Sequence, residues 1–218
     1  MIDWKNIQSV LLDMDGTLLD LHFDNHFWLE HVPLRYAEQH GLDTEAAKAE
    51  LYARFHSMEG TMEWYCVDYW SRELGLDIAL LKAEVEHLIA VHPHVPDFLA
   101  AARGAGKRVV LVTNAHMKSL TLKMERTRLA GHFDAVICAH EFGRPKEDPR
   151  FWQRLQECEP FDPRHTLLVD DSLAVLRSAR QYGIQHLFAV AQPDTRGARR
   201  DVTGFPAINN FLEIMPRT

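Results

Sequence analysis

The chain has 218 residues, 46% of them hydrophobic and 25% charged, and its 24 Lys and Arg against 31 Asp and Glu give a formal net charge of −7. That composition suits a globular chain with a substantial buried core. It excludes the basic face that a nucleic-acid polymer requires, and no uncharged apolar run reaches the roughly 18 residues of a membrane-spanning helix.

In chain order, Met1-Ile2-Asp3-Trp4-Lys5 has no charged leader ahead of an apolar stretch, so a cytoplasmic location is expected. The first strand expected is Ser9–Met14, a short and almost continuously apolar run. It ends in Asp13-Met14-Asp15-Gly16-Thr17. In extended chain, acids two residues apart point to the same side, although a turn after the strand can re-aim the second. Two carboxylates held together cost Coulomb energy unless a cation lies between them. A hard divalent ion with oxygen ligands, Mg²⁺, answers that need.

From about Leu21 to Pro93 only helical periodicity is found. Leu51 and Phe55 share one helical face, as do Trp64, Val67 and Leu74. Gly41 and Gly75 read as helix stops, with Asp43 or Thr44, and Asp77, as N-caps of the helices that follow. The segment is rich in aromatic residues, which can stack on a purine or simply fill a small helical core. Phe23, Phe27 and Trp28 are nearest the acidic turn in sequence and are the candidates for reaching a ligand, with Asp24 and Asn25 beside them.

The alternation of strand and helix resumes after His92-Pro93-His94-Val95-Pro96. A helix Asp97–Arg103 precedes strands Arg108–Val112, Ala135–Cys138, Thr166–Val169 and His186–Val190. Helices are expected at Lys118–Leu129, Pro149–Cys158 and Ser172–Tyr182. Apolar strands alternating with helices indicate a doubly wound, Rossmann-like parallel α/β sheet. An all-helical cap is inserted after its first strand. The expected division is a core of residues 1–20 and 94–218 and a cap of residues 21–93.

Three further strand ends or loops carry polar groups. Thr113-Asn114 closes the second core strand; its hydroxyl and nearby N–H groups suit phosphate oxygens, or Thr113 is merely an N-cap. Lys146 stands just ahead of a helix in Gly143-Arg144-Pro145-Lys146-Glu147-Asp148. Asp170-Asp171 closes Leu167-Leu168-Val169. Open α/β sheets build their sites at this edge. By contrast, Arg196, Arg199 and Arg200 read as a solvated loop. Cys66, Cys138 and Cys158 have no CxxC spacing, and the 13 histidines are scattered, so neither a disulfide nor a thiolate metal site is expected.

The ordered set Asp13/Asp15, Thr113, Lys146 and Asp170/Asp171 resembles the haloacid dehalogenase-like hydrolase superfamily. Within it, residues 11–21, the string Trp64 to Ser71, and Pro145-Lys146-Glu147-Asp148 look like the GMP/IMP (purine 5′-) nucleotidases, where Glu rather than Pro follows the motif lysine. The resemblance implies a Mg²⁺-dependent phosphohydrolase acting on a small phosphomonoester. Asp13 is then the nucleophile that forms an aspartyl-phosphate, and Asp15 the general acid and base. Thr113, Asn114 and Lys146 stabilise the transferring phosphoryl group, with Gly16 and Thr17 in the phosphate-binding turn; Phe27 and Trp28 stay candidates for the substrate by their nearness in sequence alone. Asp13, the Asp15 backbone carbonyl, Asp170 and Asp171 hold the metal, Asp171 as the favoured direct ligand of that pair. Relatives that cleave carbon–halogen bonds typically lack the second acid, here Asp15. A sugar-phosphate phosphatase, a phosphomutase and a non-catalytic phosphate-sensing module are the alternatives.

Overall fold

A computed structural model describes residues 2–216. Six strands, β1 (Ser9–Leu12), β2 (Arg108–Thr113), β3 (Ala135–Cys138), β4 (Thr166–Asp170), β5 (His186–Val190) and β6 (Ala207–Ile208), form one sheet. Its order is β3-β2-β1-β4-β5-β6 and every pairing is parallel. The two-residue β6 was not foreshadowed by any apolar run, because edge pairing alone makes it a strand.

Ten α-helices accompany the sheet among the described residues. Six lie between β1 and β2: α1 (His22–His26), α2 (Val32–His40), α3 (Thr44–Met58), α4 (Met62–Tyr65), α5 (Val67–Leu74) and α6 (Ile78–Glu84). A π-helical turn, Phe27–His31, joins α1 to α2. Then come α7 (Val95–Gly104), α8 (Met117–Thr127), α9 (Pro149–Cys158) and α10 (Leu173–Tyr182). Asp43, not Thr44, caps α3, accepting from the N–H groups of Glu45 and Ala46 at 3.0 and 3.3 Å. Asp77 caps α6 through Leu80 N–H.

Both faces of the sheet are covered, which explains why its central strands read as unbroken apolar runs. Val10, Leu12, Leu111 and Val169 pack on one side with Val95, Phe98 and Leu99 of α7. Leu11, Val110, Val112 and Leu168 face the other side, against Phe151, Trp152 and Leu155 of α9 and Leu176 of α10. The helices between β1 and β2 enclose a third apolar cluster, built around Phe23, Phe27, Leu51, Phe55 and Trp70.

The two chain passages joining that helical layer to the sheet lie side by side. Leu19 bridges Val91, Asp20 N–H donates to Ala90 O at 2.9 Å, and His92 N–H donates to Leu18 O at 2.9 Å. A loop after β5 pins them: Leu21 N–H donates to Pro193 O, and the Asp20 carboxylate accepts from Thr195 N–H and its hydroxyl. The chain runs β1, β2, β3 outward on one side and returns to β4 on the other. The C-terminal ends of β1 and β4 therefore flank the topological switch point, where open α/β sheets bind ligands.

Candidate active site

Register delivers the acids. Leu12 pairs with Leu111 on one flank and Val169 on the other, so Asp13 emerges next between β2 and β4, its N–H donating to Val169 O at 3.1 Å. A tight turn follows: Leu18 and Leu19 N–H both donate to Met14 O, and Gly16 N–H donates to Leu19 O at 2.7 Å. Gly16 has φ +80°, and a Cβ there would lie 2.7 Å from Asp171 Cγ. A side chain at that position is both strained and in collision with the acid at the end of β4.

Asp13, Asp170 and Asp171 each present a carboxylate oxygen within 4.8 Å of the others. Lys146 is buried among them. Its ammonium donates to Asp13 Oδ1 at 2.5 Å, to Asp170 Oδ2 at 2.8 Å and to Val112 O at 3.0 Å, which uses all three of its protons. Lys146 and, on Asp171, the guanidinium of Arg200 do not offset the burial and mutual repulsion of the three acids. Burial pushes Asp13 up to about 7, with Lys146 opposing and Asp170 and Asp15 adding to the rise. Burial likewise pushes Asp170 up to about 6, and, with the help of Asp13, Asp171 up to about 7. Hard oxygen donors crowded in this way fit a divalent cation, whose charge would return all three to the ionised state.

Asp15 is arranged differently. Its carboxylate stands outside the trio and accepts from Lys123 at 2.7 Å. Burial raises its pKa although Lys123 opposes. Lys123, only 1% exposed, also donates to Asp24 at 2.6 Å, and buried Lys82 donates to the other oxygen of Asp24 at 3.0 Å. Burial alone would raise Asp24, but the two ammonium groups outweigh it and hold the carboxyl at about 2. Neither lysine carried a signal in the sequence, because a lone lysine in a helix usually reads as solvated.

Thr113 Oγ1 accepts from Ala115 N–H at 3.0 Å, which leaves its own O–H to donate into the site. Asn114 acts through the loop instead: its Oδ1 accepts from Lys146 N–H at 2.9 Å and its Nδ2 donates to Glu147 at 2.9 Å. Tyr65, from α4, donates to the other Glu147 oxygen at 2.6 Å and so links the helical layer to the lysine loop. Arg196, Arg199 and Arg200 lie exposed in a loop as expected, and the Arg200 guanidinium in addition pairs with Asp171 at 3.0 Å.

A cavity of about 220 Å³ is lined by Asp13, Asp15, Thr113, Lys146, Asp170 and Asp171. It shares Asp15, Leu21, Tyr65 and Ala115 with a second cavity of about 470 Å³, whose walls include Trp28, Phe55, Trp64, Trp70, Asn25, Lys82 and Arg200. A larger depression of about 780 Å³ lies around Ile2, Arg180 and Pro206, at the opposite edge of the sheet, and has no such set of groups.

Two expected contacts differ. Phe27 is wholly buried in the helical layer, its ring 4.3 Å from Lys82 Nζ, and it does not line the cavity as Trp28 does. Thr17 is also wholly buried and faces a small crevice by His92 and Asn209, away from the acids; its Oγ1 has no hydrogen-bond partner. Helical periodicity explains the first: on a helix Phe23 and Phe27 fall on one face, and the apolar cluster takes that face. Phe27→Ala is accordingly expected to cost about 3–5 kcal/mol in denaturant unfolding; a loss below about 1 kcal/mol would contradict this placement.

Carboxylates, a hydroxyl and a lysine gathered at the switch point of a doubly wound sheet define a phosphoryl-transfer type of site. The chain belongs to the haloacid dehalogenase-like hydrolase family, whose model matches residues 7–183. It is 39% identical over 215 residues to the GMP/IMP nucleotidase YrfG of Escherichia coli (strain K12), covering 99% of this chain and 97% of that one. It is 29% identical over 207 residues to the phosphoglycolate phosphatase of Nitrosospira multiformis, covering 90% and 87%. Among solved structures, the HAD phosphatase from Thermococcus onnurineus superposes with a TM-score of 0.81 at 21% identity, covering 95% of this chain and 96% of that one. The chain is a phosphoric monoester hydrolase. No helix among the described residues is long and apolar enough to cross a membrane.

Proposed function

We propose that the chain hydrolyses purine nucleoside 5′-monophosphates of the GMP/IMP class, with Mg²⁺ as cofactor and an aspartyl-phosphate intermediate. The observation that carries the reading is the junction of the two cavities. The smaller gathers Thr113 and Lys146 with carboxylates that would hold a cation for a phosphoryl group, and the larger, which adjoins it through Asp15, Leu21, Tyr65 and Ala115, offers aromatic walls for a base. The relative named for GMP and IMP supports the same choice.

The Asp13 carboxylate attacks phosphorus; the Asp13–phosphorus bond forms as the bond to the 5′-oxygen breaks. Asp15 gives its proton to the departing oxygen, then takes one from the water that cleaves the aspartyl-phosphate. The upward-shifted pKa of Asp15 suits both roles. Lys123 fixes which way that carboxylate faces. Thr113 O–H and the loop held by Asn114 and Lys146 meet the charge that develops on the phosphoryl oxygens. Asp13, Asp170 and Asp171, with the Asp15 carbonyl, would hold Mg²⁺, which supplies charge neutralisation at the phosphoryl group when bound. Residues 21–93 act as a cap that closes over the cleft and excludes water, with hinges at the paired passages near Asp20–His22 and His92–Pro96.

The test is phosphate release from a panel of GMP, IMP, AMP, phosphoglycolate and sugar phosphates with Mg²⁺. GMP and IMP are expected to give the highest kcat/KM, and Trp28→Ala to raise KM for them more than for phosphoglycolate. A sugar phosphate or phosphoglycolate turned over faster than every nucleotide would overturn the substrate assignment while leaving the phosphatase intact. Isomerisation without free phosphate would mark a mutase instead.

Metal binding should depend on pH in a defined direction. The folded chain holds Asp13, Asp170 and Asp171 at about 7, 6 and 7, above the ordinary carboxylate value of about 4. Without metal, stability is therefore lost as pH rises through that window, because the unfolded chain gives up these protons first. Mg²⁺ competes with the same protons, so its affinity falls as pH drops below about 7. The rise in unfolding temperature caused by Mg²⁺ over EDTA is expected to be larger at pH 8 than at pH 5.5. Where Mg²⁺ reaches about 100 times its Kd, it adds about 2.7 kcal/mol. Equal rises at the two pH values would contradict the assignment.

A further inference from the structure

The fold brings together a second group of ligating side chains that sequence spacing concealed. Cys66, His116 and His140 each place one ligand atom within 4.8 Å of the others. They come from three separate elements. Cys66 precedes α5 in the helical layer, His116 precedes α8 after the end of β2, and His140 lies in the turn after β3. The His140 Nε2 atom is buried and makes no hydrogen bond of good geometry, although the backbone carbonyls of Asn114 and Tyr65 stand near the ring. A buried imidazole nitrogen left without a partner is costly unless something occupies the space in front of it.

The donor set has a definite chemical preference. One thiolate and two imidazoles are soft to borderline ligands, unlike the hard oxygens of Asp13, Asp170 and Asp171. They are three of the four positions of a tetrahedral zinc site. Cys66 Sγ accepts from Tyr69 N–H at 3.4 Å, which orients the sulfur. Asp68 Oδ2 lies 3.7 Å from His116 Nε2, at hand as a fourth ligand or as the acceptor for that ring, while its other oxygen is held by Lys118 at 2.6 Å. Burial lowers the pKa of both histidines, leaving ring nitrogens unprotonated near neutral pH. Metal at His116 would disturb the 3.3 Å bond that its Nδ1 accepts from Lys118 N–H at the start of α8.

We propose that Cys66, His116 and His140 form a zinc-binding site, distinct from the acid cluster, that joins the helical layer to the strand-end loops. A closed tetrahedron around the ion replaces the unpartnered contact at His140. It also fixes the segment around Tyr65, the residue that reaches Glu147 beside the site lysine. This inference does not depend on which phosphate ester the enzyme hydrolyses.

The test uses the whole chain, stripped with chelator and then supplied with Mg²⁺. Zinc also binds carboxylates, so uptake alone does not distinguish the two sites; a cobalt–thiolate charge-transfer band does. The wild type loaded with Co²⁺ is expected to show that band, and zinc is expected to displace the cobalt and abolish it. Cys66→Ala is expected to lack the band, and His140→Gln to bind zinc at least about 100-fold more weakly, since even outer partners of metal ligands are worth about 10–100-fold. Both variants keep Mg²⁺-dependent phosphatase activity, and Cys158→Ala keeps the band. A second measurement on the wild type does not rely on variants folding: zinc should protect Cys66 from alkylation, mapped by peptide, while exposed Cys158 stays reactive. The proposal is overturned by a wild type with no cobalt–thiolate band, by a band that survives Cys66→Ala, or by zinc that leaves Cys66 alkylation unchanged.

Discussion

Asp13→Asn is expected to lower kcat by on the order of 10⁴–10⁶-fold, the scale seen when a nucleophile is removed from an assembled site. The amide keeps the shape of the side chain but can neither attack phosphorus nor carry the charge that draws in a cation. Its effect on stability should have the opposite sign. In the metal-free chain Asp13 is pushed up to about 7 by burial and by Asp170 and Asp15, with Lys146 only partly compensating. The fold therefore prefers this side chain neutral, and Asn is a permanent neutral substitute. At pH 8 in EDTA the Asp13→Asn chain should unfold at a higher temperature than the wild type. With Mg²⁺ the order should narrow or reverse, because the variant has lost one anionic ligand. Activity is read by phosphate release and by trapping of acid-stable phosphoprotein, and stability by thermal unfolding. Retention of more than about a tenth of the wild-type kcat would remove Asp13 from the role of nucleophile.

How the chain divides into legible and hidden parts has a physical cause. Strands β1, β2 and β4 were readable because both faces of a covered parallel sheet demand apolar residues, and their ends were readable because acids and hydroxyls interrupt those runs abruptly. That is why Asp13, Thr113 and Asp170 stood out. The helical segment also declared its periodicity, but not which face would meet the cleft. Phe27 and Trp28 are adjacent in sequence yet leave the π-helical turn in different directions, so one fills the core and the other lines the cavity. Groups whose partners lie far along the chain stayed hidden: Asp24 and Lys82 are 58 residues apart, and Tyr65 and Glu147 are 82 apart. Cys66, His116 and His140 belong with them, since no local spacing links residues on three elements. Arg200 is exposed in its loop as the composition indicates, but its pairing with Asp171, 29 residues away, carries no local signal.

Lys123→Met tests whether the hidden lysines matter to the chemistry as well as to folding. Lys123 lies almost wholly inside the protein between two carboxylates, at 2.7 Å from Asp15 and 2.6 Å from Asp24. Met has a similar length and fills the space, so the substitution chiefly deletes a charge. Removing one member of a buried ionic network leaves the rest uncompensated, at a cost of about 3–5 kcal/mol. Asp24 keeps Lys82, but Asp15 keeps no cationic partner at hydrogen-bond distance. Lys123 is a principal influence lowering the Asp15 pKa against burial, so its loss raises that pKa further. An Asp15 that holds its proton more tightly remains able to protonate the departing oxygen but becomes slower to accept a proton from water. The acid limb of the kcat profile should therefore move to higher pH, and kcat at pH 7 should fall by about 10²-fold or more, within the usual range for general acid–base catalysis. Lys82→Met, which bonds Asp24 and lowers the Asp15 pKa only through space, serves as the comparison: it should lose stability and move the limb less than Lys123→Met. If both variants lose stability and neither shifts the pH profile, Lys123 is a strut of the fold and has no hold on the acid; a shift clearly larger in Lys123→Met than in Lys82→Met makes Lys123 the group that positions and tunes Asp15.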